Sequence, residues 1–202
     1  MAFTVLAACR ATSVEVAITQ ADIEAADSAN NIVWLPFTAN FEHNMGGDET
    51  QKQLKRMEVV AREYLTLDTY VVADRGLVSI SGKLPLSRSP VPGHAYQLTI
   101  QPFDALDGME FVRLDTNAEF EGFARDTNRI FGEHKNTVVR YQPNVTFNLS
   151  ANGMRVVVAG AYLNDKAAML VDTVINGAAT IRFDGGAFKD TYVGFFIDAR
   201  AR

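Results

Sequence analysis

Two Asn-Gly dipeptides, each set between runs of strand-favouring residues, constrain the fold of this chain most strongly. The first run reads VTFNLSANGMRVVVAG over residues 145–160, and the second reads MLVDTVINGAATIRF over residues 169–183. Asn-Gly supplies the two positive-φ positions that a type I′ turn needs. The sequence therefore predicts one tight antiparallel hairpin at Asn152-Gly153 and another at Asn176-Gly177.

The first predicted hairpin has one apolar face and one wetter face. Counting outward from its turn, the predicted pairs are Ala151 with Met154, Leu149 with Val156, Phe147 with Val158 and Val145 with Gly160. The opposite face carries the polar residues Thr146, Asn148, Ser150 and Arg155. Because successive side chains of a strand point to opposite faces, this pattern predicts a half-buried antiparallel ribbon.

Short strand-like segments recur along the rest of the chain. They lie at residues 3–9, 14–19, 32–41, 69–73, 77–82, 96–103, 110–114, 138–149, 154–162 and 191–197. Pro36 favours an edge strand or a bulge for its segment. Asp74-Arg75-Gly76 predicts a short hairpin loop, whereas residues 84–93, with three prolines, predict an exposed loop. Residues 20–31 fit either a helical turn or a loop.

Two segments have the pattern of amphipathic helices. At residues 49–65, Asp48 is the predicted N-cap, and Leu54, Met57, Val60 or Ala61, and Tyr64 form one apolar stripe. At residues 117–131, Thr116 and Glu119 predict a capping box, and Phe120, Phe123, Thr127, Ile130 and Phe131 recur at helical spacing. The predicted fold is a single, mainly β domain over residues 1–202: an antiparallel sandwich or barrel with these two flanking helices.

Composition and charge exclude several classes of protein. Of the 202 residues, 48% are hydrophobic and 21% are charged, which is typical of a globular protein and not of a disordered chain. No apolar run is long enough to cross a bilayer. The segment from Asp104 to Asp126 contains seven acidic residues and two arginines, so it accounts for the whole net charge of −5. No basic cluster is present, so we expect no sequence-specific nucleic-acid binding and no membrane partner.

The lone cysteine excludes an internal disulfide. Cys9 ends a Leu-Ala-Ala-Cys box like that of bacterial lipoproteins, but only eight residues without Lys or Arg precede it. We therefore expect no signal peptide and interpret Cys9 as a small buried hydrophobic residue. Two glycosylation-type triplets begin at Asn144 and Asn148, and without an export signal they are interpreted as ordinary strand residues.

Searches for catalytic and metal-binding patterns predict neither a reaction nor a metal. Phosphate-binding glycine loops and the serine-hydrolase elbow are absent, and His43, His94 and His134 are far apart in the chain. Pairs drawn from Asp115, Glu119 and Glu121 are best explained as a solvated acidic rim. Asp104, Asp107 and Glu110 resemble a calcium loop only in part, since the EF-hand spacing is not met. We expect no enzyme activity, no cofactor and no structural metal.

The β-rich plan with its long ribbon resembles small virion proteins of tailed bacteriophages, such as tail-tube subunits or capsid decoration proteins. The resemblance implies a non-catalytic structural subunit, with copies of itself and other virion proteins as partners and the virion, assembled in the host cytoplasm, as its location. Two alternatives remain. One is a small-ligand or carbohydrate-binding β-sandwich, whose aromatic platform would use Trp34, Phe37, Phe41, Tyr96 and Tyr141. The other is an enzyme with a dispersed site.

Self-assembly would use the edge of the ribbon at residues 145–160. Its predicted outward positions are Thr146, Asn148, Ser150, Arg155, Val157 and Ala159. Natural proteins often protect strand edges with lysine, and lysine is absent from residues 136–165. We therefore predict an assembly interface at these six residues, the alternative being that the helix at 117–131 covers the ribbon within one monomer.

Overall fold

Nine hydrogen-bonded strands form one sheet in the part of the chain that the structure describes. The computed structural model describes residues 10–27, 31–42, 48–73, 77–103, 105, 108–131, 144–184 and 193–198. The strands in these ranges are β1 (Arg10–Thr19), β2 (Val33–Glu42), β3 (Thr66–Val72), β4 (Leu77–Ser87), β5 (Tyr96–Pro102), β6 (Met109–Thr116), β7 (Asn144–Leu163), β8 (Lys166–Phe183) and β9 (Gly194–Asp198). The helices are α1 (Gln20–Ala25), α2 (Asp48–Tyr64) and α3 (Phe120–Phe131).

Seven of the strands close into a barrel. Their order is β1-β2-β4-β5-β6-β9-β7, and a parallel pairing of β1 with β7 joins the two ends, from Ser13 opposite Asn144 to Thr19 opposite Ser150. All other pairings are antiparallel except the short contact of β4 with β5. β3 pairs with β4 and β8 pairs with β7, both outside the closed path. The prediction of a mainly β, barrel-like fold with flanking helices is confirmed.

One cluster of buried side chains fills the barrel and extends beneath the helices. The largest side chains that are less than 2% exposed belong to strands on every side of the barrel and to all three helices: Phe123, Phe147, Phe195, Ile18, Ile23, Leu35, Leu54, Leu86, Leu98, Ile100, Leu149 and Ile181. Each such residue stabilises the fold by about 1.5–3 kcal/mol relative to an exposed position. The barrel is therefore a packed core and not a pore.

The stripe predicted for the first helix is the buried face of α2. Leu54, Met57 and Ala61 are buried, and Val60 and Tyr64 pack against the same core. The predicted pair of Glu58 with Arg62 is present at 2.9 Å. The helix begins at Asp48 itself, so Asp48 is its first residue and not the residue before it.

α3 forms where its apolar spacing predicted, but its predicted capping box is wrong. Thr116 is the last residue of β6 and pairs with Tyr96 of β5. The helix begins at Phe120, and the carboxylate of Glu119 accepts a hydrogen bond from the backbone N–H of Gly93 at 2.8 Å. Pairing in the sheet therefore takes Thr116 away from the helix.

A capping box does occur at α1, in the segment that fitted either a helical turn or a loop. The Thr19 hydroxyl accepts from the Asp22 N–H, while the Asp22 carboxylate accepts from the Thr19 N–H at 2.8 Å. This reciprocal pairing satisfies two backbone groups at the start of a six-residue helix. Ile23 anchors the helix in the core.

Two prolines occupy strand positions that differ from the predicted ones. β2 is not an edge strand, because it lies between β1 and β4, but its pairing with β1 ends at Phe37. Pro36 therefore pairs only with Lys83 of β4, where a missing N–H costs no bond to β1. Pro85, predicted in an exposed loop, is buried in β4 opposite Trp34.

Several predictions fall outside the described residues. They concern the strand at 3–9, the hairpin loop at 74–76 and the first residues of the segments at 138–149 and 191–197. The side chains of Cys9, His43, Asp104, Asp107, His134 and Tyr141 also lie outside them.

Candidate interaction surface

One long hairpin made of β7 and β8 dominates the C-terminal third of the chain. A two-residue turn, Asn164-Asp165, joins the strands, with φ angles of 46° and 63°. Two successive positive φ values define the turn that matches the twist of a tight hairpin. Asn and Asp adopt this conformation more readily than other residues with a side chain, which explains the position of the turn.

Neither predicted Asn-Gly turn is a turn. β7 continues through Gly153, and β8 continues through Gly177, so that Asn152 lies opposite Asn176 in one ladder. Gly153 has a φ of 79° and is the extra residue of a bulge, and its N–H donates to Oδ1 of Asn176 at 2.9 Å. A bulge uses a glycine at positive φ just as a turn does. The predicted pairs, from Ala151 with Met154 to Val145 with Gly160, are therefore wrong.

The observed partners place β7 inside the sheet. Its first half pairs with β1 on one side and with β8 on the other, and Val156 and Val157 pair with β9 as well as β8. The ribbon therefore has a strand on each side at residues 145–150 and 156–157, whereas its other described residues pair with β8 alone. Where the ribbon is covered, neighbouring strands cover it, rather than the helix at 117–131 proposed as the alternative.

The six residues predicted for assembly are thus placed as follows. Thr146, Asn148 and Ser150 each have a backbone partner on both sides, in β1 and β8. Val157 is only 8% exposed, and Ala159 is exposed opposite Leu170. Arg155 binds Asp172 of β8 through two hydrogen bonds of 2.9 and 2.7 Å. They follow one strand but form no common edge, and their role in assembly stays a prediction.

The tip of the hairpin folds back onto its own base. Tyr162 and Leu163 pair with Arg182 and Ile181. Asn164 donates its N–H to the Thr180 carbonyl at 2.9 Å and accepts from the Thr180 N–H at 2.8 Å. The Arg182 guanidinium lies 4.5 Å from the centre of the Tyr162 ring, a cation–π distance. This contact covers the outer edge of β8 near its C-terminal end.

The remainder of that edge is open in the ranges that the structure describes. From residue 166 to residue 179, β8 pairs only with β7. Met169 is 92% exposed, Leu170 69% and Val174 52%, so large apolar side chains accompany unpaired backbone groups. We name residues 166–179 the β8 rim.

The sequence did not reveal the β8 rim, because the Asn176-Gly177 pair predicts a turn within it. A usable signal was present: AAMLV at 167–171 is apolar without alternation, and the whole rim contains only two charged residues, Lys166 and Asp172. An apolar run with neither alternation nor gatekeeper charges is typical of a strand that is covered on more than one side.

The negative charge of Asp172 on the β8 rim is stabilised by Arg155 of the neighbouring strand β7. The Arg155 guanidinium, hydrogen-bonded to Asp172, lowers the pKa of that carboxyl below its usual value, and Asp172 in turn raises the pKa of Arg155. Arg155 also lies 3.8 Å from Asp198 of β9. Asp172 is therefore a fixed negative charge at neutral pH.

The acidic segment is occupied mainly by internal contacts. Glu110 is buried and binds Arg88 at 2.7 Å, and Asp115 binds Arg113 at 2.7 Å. Asp126 accepts from the Tyr64 hydroxyl at 2.8 Å, which lowers the pKa of Asp126. Glu110, considered for a calcium loop, has a protein cation as its partner. Within the described ranges, no group of three His, Cys, Asp or Glu residues could hold a metal ion.

The four described residues of the predicted aromatic platform do not form one exposed surface. Phe37 is buried, Phe41 and Tyr96 pack against the core, and Trp34 is 41% exposed. His94 contacts Trp34 edge-on at 5.0 Å between ring centres, and its partial burial lowers the pKa of its imidazole. An apolar cavity of about 20 Å³ lies between α2 and the sheet, large enough for one water but lined by side chains such as Leu54, Met57 and Phe123. This cavity is too small for a ligand.

None of the described helices has the length and apolar character required to cross a membrane.

Comparison with known proteins identifies no relative of this chain. No protein-family model, no curated protein and no solved structure matches this chain.

Proposed function

We propose that this chain is a non-catalytic structural subunit that assembles with copies of itself or with other proteins through its long hairpin. The observation that carries the proposal is the β8 rim. Its backbone edge is unpaired among the described strands, and Met169 and Leu170 are mostly exposed on it. Solitary proteins usually protect such edges by charge, proline or a covering element, because they template pairing with other chains.

We further propose that the particle is a tailed-phage virion, with this chain as a subunit of the tail-tube or capsid-decoration type. What supports this part is the plan of the molecule: a small β-rich barrel, flanking helices and one hairpin of two strands with 20 and 18 residues. A ligand-binding module is less well supported, because three of the four described residues of its platform, Phe37, Phe41 and Tyr96, are buried or pack against the core.

The experiment measures the mass of the native protein by light scattering at micromolar concentration. The matched pair of variants is Leu170→Lys on the rim and Val59→Lys on α2, since the two residues are 69% and 67% exposed. We expect the native protein and the Val59→Lys variant to be larger than a monomer, and Leu170→Lys to lower the mass.

A native protein that remains monomeric, both alone and when mixed with the other proteins of a candidate particle, would contradict the assembly proposal. The virion part has its own test. The chain should be detected by mass spectrometry in purified phage particles from a host that carries its gene, and its absence from such particles would exclude that part alone.

A further inference from the structure

The β8 rim has the sequence of a strand that can pair with itself. When two copies of a strand meet antiparallel about a two-fold axis, the numbers of opposed residues have a constant sum. Successive residues of β8 direct their backbone groups alternately toward β7 and away from it. Residues whose backbone groups point away from β7 in one copy must lie opposite residues of the same kind in the other copy. Two opposed residue numbers are therefore both odd or both even, so their sum is even.

Charge selects one of these even sums. Lys166 and Asp172 are the only charged residues among residues 166–179, and they lie six residues apart. A sum of 338 places Lys166 opposite Asp172 of the partner subunit and, by symmetry, Asp172 opposite Lys166 of the partner subunit. The even sum 332 places Lys166 opposite Lys166 of the partner subunit, and the even sum 344 places Asp172 opposite Asp172 of the partner subunit, so both oppose like charges. The remaining even sums between these two oppose both charges to uncharged residues. Opposite charges that face each other across a strand pair stabilise it, and they also fix its register.

The same register gives Met169, Leu170 and Val171 apolar partners. Met169, 92% exposed, lies on the two-fold axis opposite Met169 of the partner subunit. Leu170 faces Ala168 of the partner subunit, and Val171 faces Ala167 of the partner subunit. Methionine adapts its shape to its surroundings, which suits a position that meets its own copy.

We propose that two copies of this chain associate through an antiparallel β8–β8 pairing centred on Met169, with Lys166 and Asp172 forming two ion pairs across the interface. The pairing rests on the proposed function, and it names both the partner and the register. Arg155 of β7 holds each Asp172 carboxylate in place at 2.7 Å, so the acceptor on β8 is already ordered for the incoming lysine. The fold-back of the tip covers residues 180–182 and thereby limits the pairing to the open part of the edge.

The test reverses one charge at a time. In a dimer of the Lys166→Glu variant, each of the two contacts between residues 166 and 172 places two carboxylates opposite each other. In a dimer of the Asp172→Lys variant, each contact places two ammonium groups opposite each other. We expect each variant alone to weaken the dimer about tenfold or more. An equimolar mixture of the two variants restores both ion pairs, so the mixture should dimerise as tightly as the native protein and should contain heterodimers in native mass spectrometry. Unchanged circular dichroism and melting temperature confirm that each variant is folded.

Cross-linking tests the register independently. In a Cys9→Ala background, Met169→Cys should form a disulfide with its own copy under mild oxidation. Leu170→Cys is the control, since diagonal positions lie about 7–8 Å apart, beyond the reach of a disulfide.

A native dimer that Lys166→Glu leaves intact, or that cross-links at residue 170 and not at residue 169, would overturn this pairing while the assembly proposal survives. A native protein that remains monomeric and binds no particle protein would overturn both. A mixture that fails to restore the dimer would also contradict the pairing.

Discussion

Gly82 shows how packing can require a glycine in the middle of a strand. It lies in β4 between Phe37 of β2 and Leu67 of β3. A Cβ atom at this position would overlap the carbonyl oxygen of Thr66 and lie 3.0 Å from Cε1 of Phe37. The backbone of β3 cannot move away without losing its pairing with β4. The glycine therefore permits a close approach of two strands.

Replacing Gly82 with alanine should destabilise the protein. We expect Gly82→Ala to lower the free energy of unfolding by about 1–3 kcal/mol, the usual cost of overpacking a well-filled site. Urea denaturation measures this change. Lys83→Ala, at the exposed neighbouring residue, is the control and should change stability by less than about 0.5 kcal/mol. Equal stability of Gly82→Ala and Lys83→Ala would show that β3 can shift.

Among the elements, the hairpin shows where sequence reasoning succeeds locally and fails at longer range. The glycines of both Asn-Gly pairs do adopt positive φ, 79° at Gly153 and 98° at Gly177. This preference fits a turn and a bulge equally well. Whether a turn or a bulge forms depends on two other strands. β1 pairs with the first half of β7, and β9 pairs with Val156 and Val157 in its second half, which keeps β7 continuous. These strands are distant in the sequence, so the dipeptide alone could not reveal the outcome.

The observed turn makes its own prediction. Asp165 has a φ of 63°, a conformation that glycine adopts freely and β-branched residues do not. We expect Asp165→Val to lower the free energy of unfolding by about 1–2 kcal/mol and Asp165→Gly to preserve it. The contact of Asp165 with Arg182, at 3.8 Å and exposed, contributes little to this comparison. Thermal unfolding of both variants measures the difference, and equal melting temperatures would contradict the turn at this position.

The helices were more predictable because their signals are local. The apolar stripes placed both long helices to within three residues at each end. The capping box at residues 116–119 failed because β5 competes for Thr116, and no local pattern indicates that pairing. By contrast, Thr19 and Asp22 form a capping box that was not among the predictions, although their spacing is visible in the sequence.

For the whole molecule, the fold class was predictable and the closure of the barrel was not. Alternating strands and short turns indicate a β fold, but the closing contact pairs residues 13–19 in parallel with residues 144–150. A parallel contact between segments so far apart follows from no local rule. The position of the open edge on β8 has the same origin, because β7 becomes an inner strand along residues 144–150 only when the barrel closes.

Arg88 connects three distant parts of the chain in a way that only the folded molecule reveals. Its guanidinium, just beyond β4, lies 2.7 Å from the Glu110 carboxylate at the start of β6. It also lies 2.6 Å from the Asp27 carboxylate and donates to the Asp27 carbonyl at 3.0 Å, beyond the end of α1. The side chain of Glu110 is only 10% exposed, so the arginine stabilises a carboxylate that is largely removed from water.

Removing Arg88 should therefore destabilise the whole fold. We expect Arg88→Met to lower the free energy of unfolding by about 3–5 kcal/mol, because the buried Glu110 carboxylate would lose its ion pair with Arg88. Adding Glu110→Leu to this variant removes the buried charge as well, and the double variant should recover most of the loss. Urea denaturation of the native protein, both single variants and the double variant gives the coupling energy between the two residues. Additive effects would mean that Arg88 acts mainly through Asp27 and that Glu110 does not depend on it.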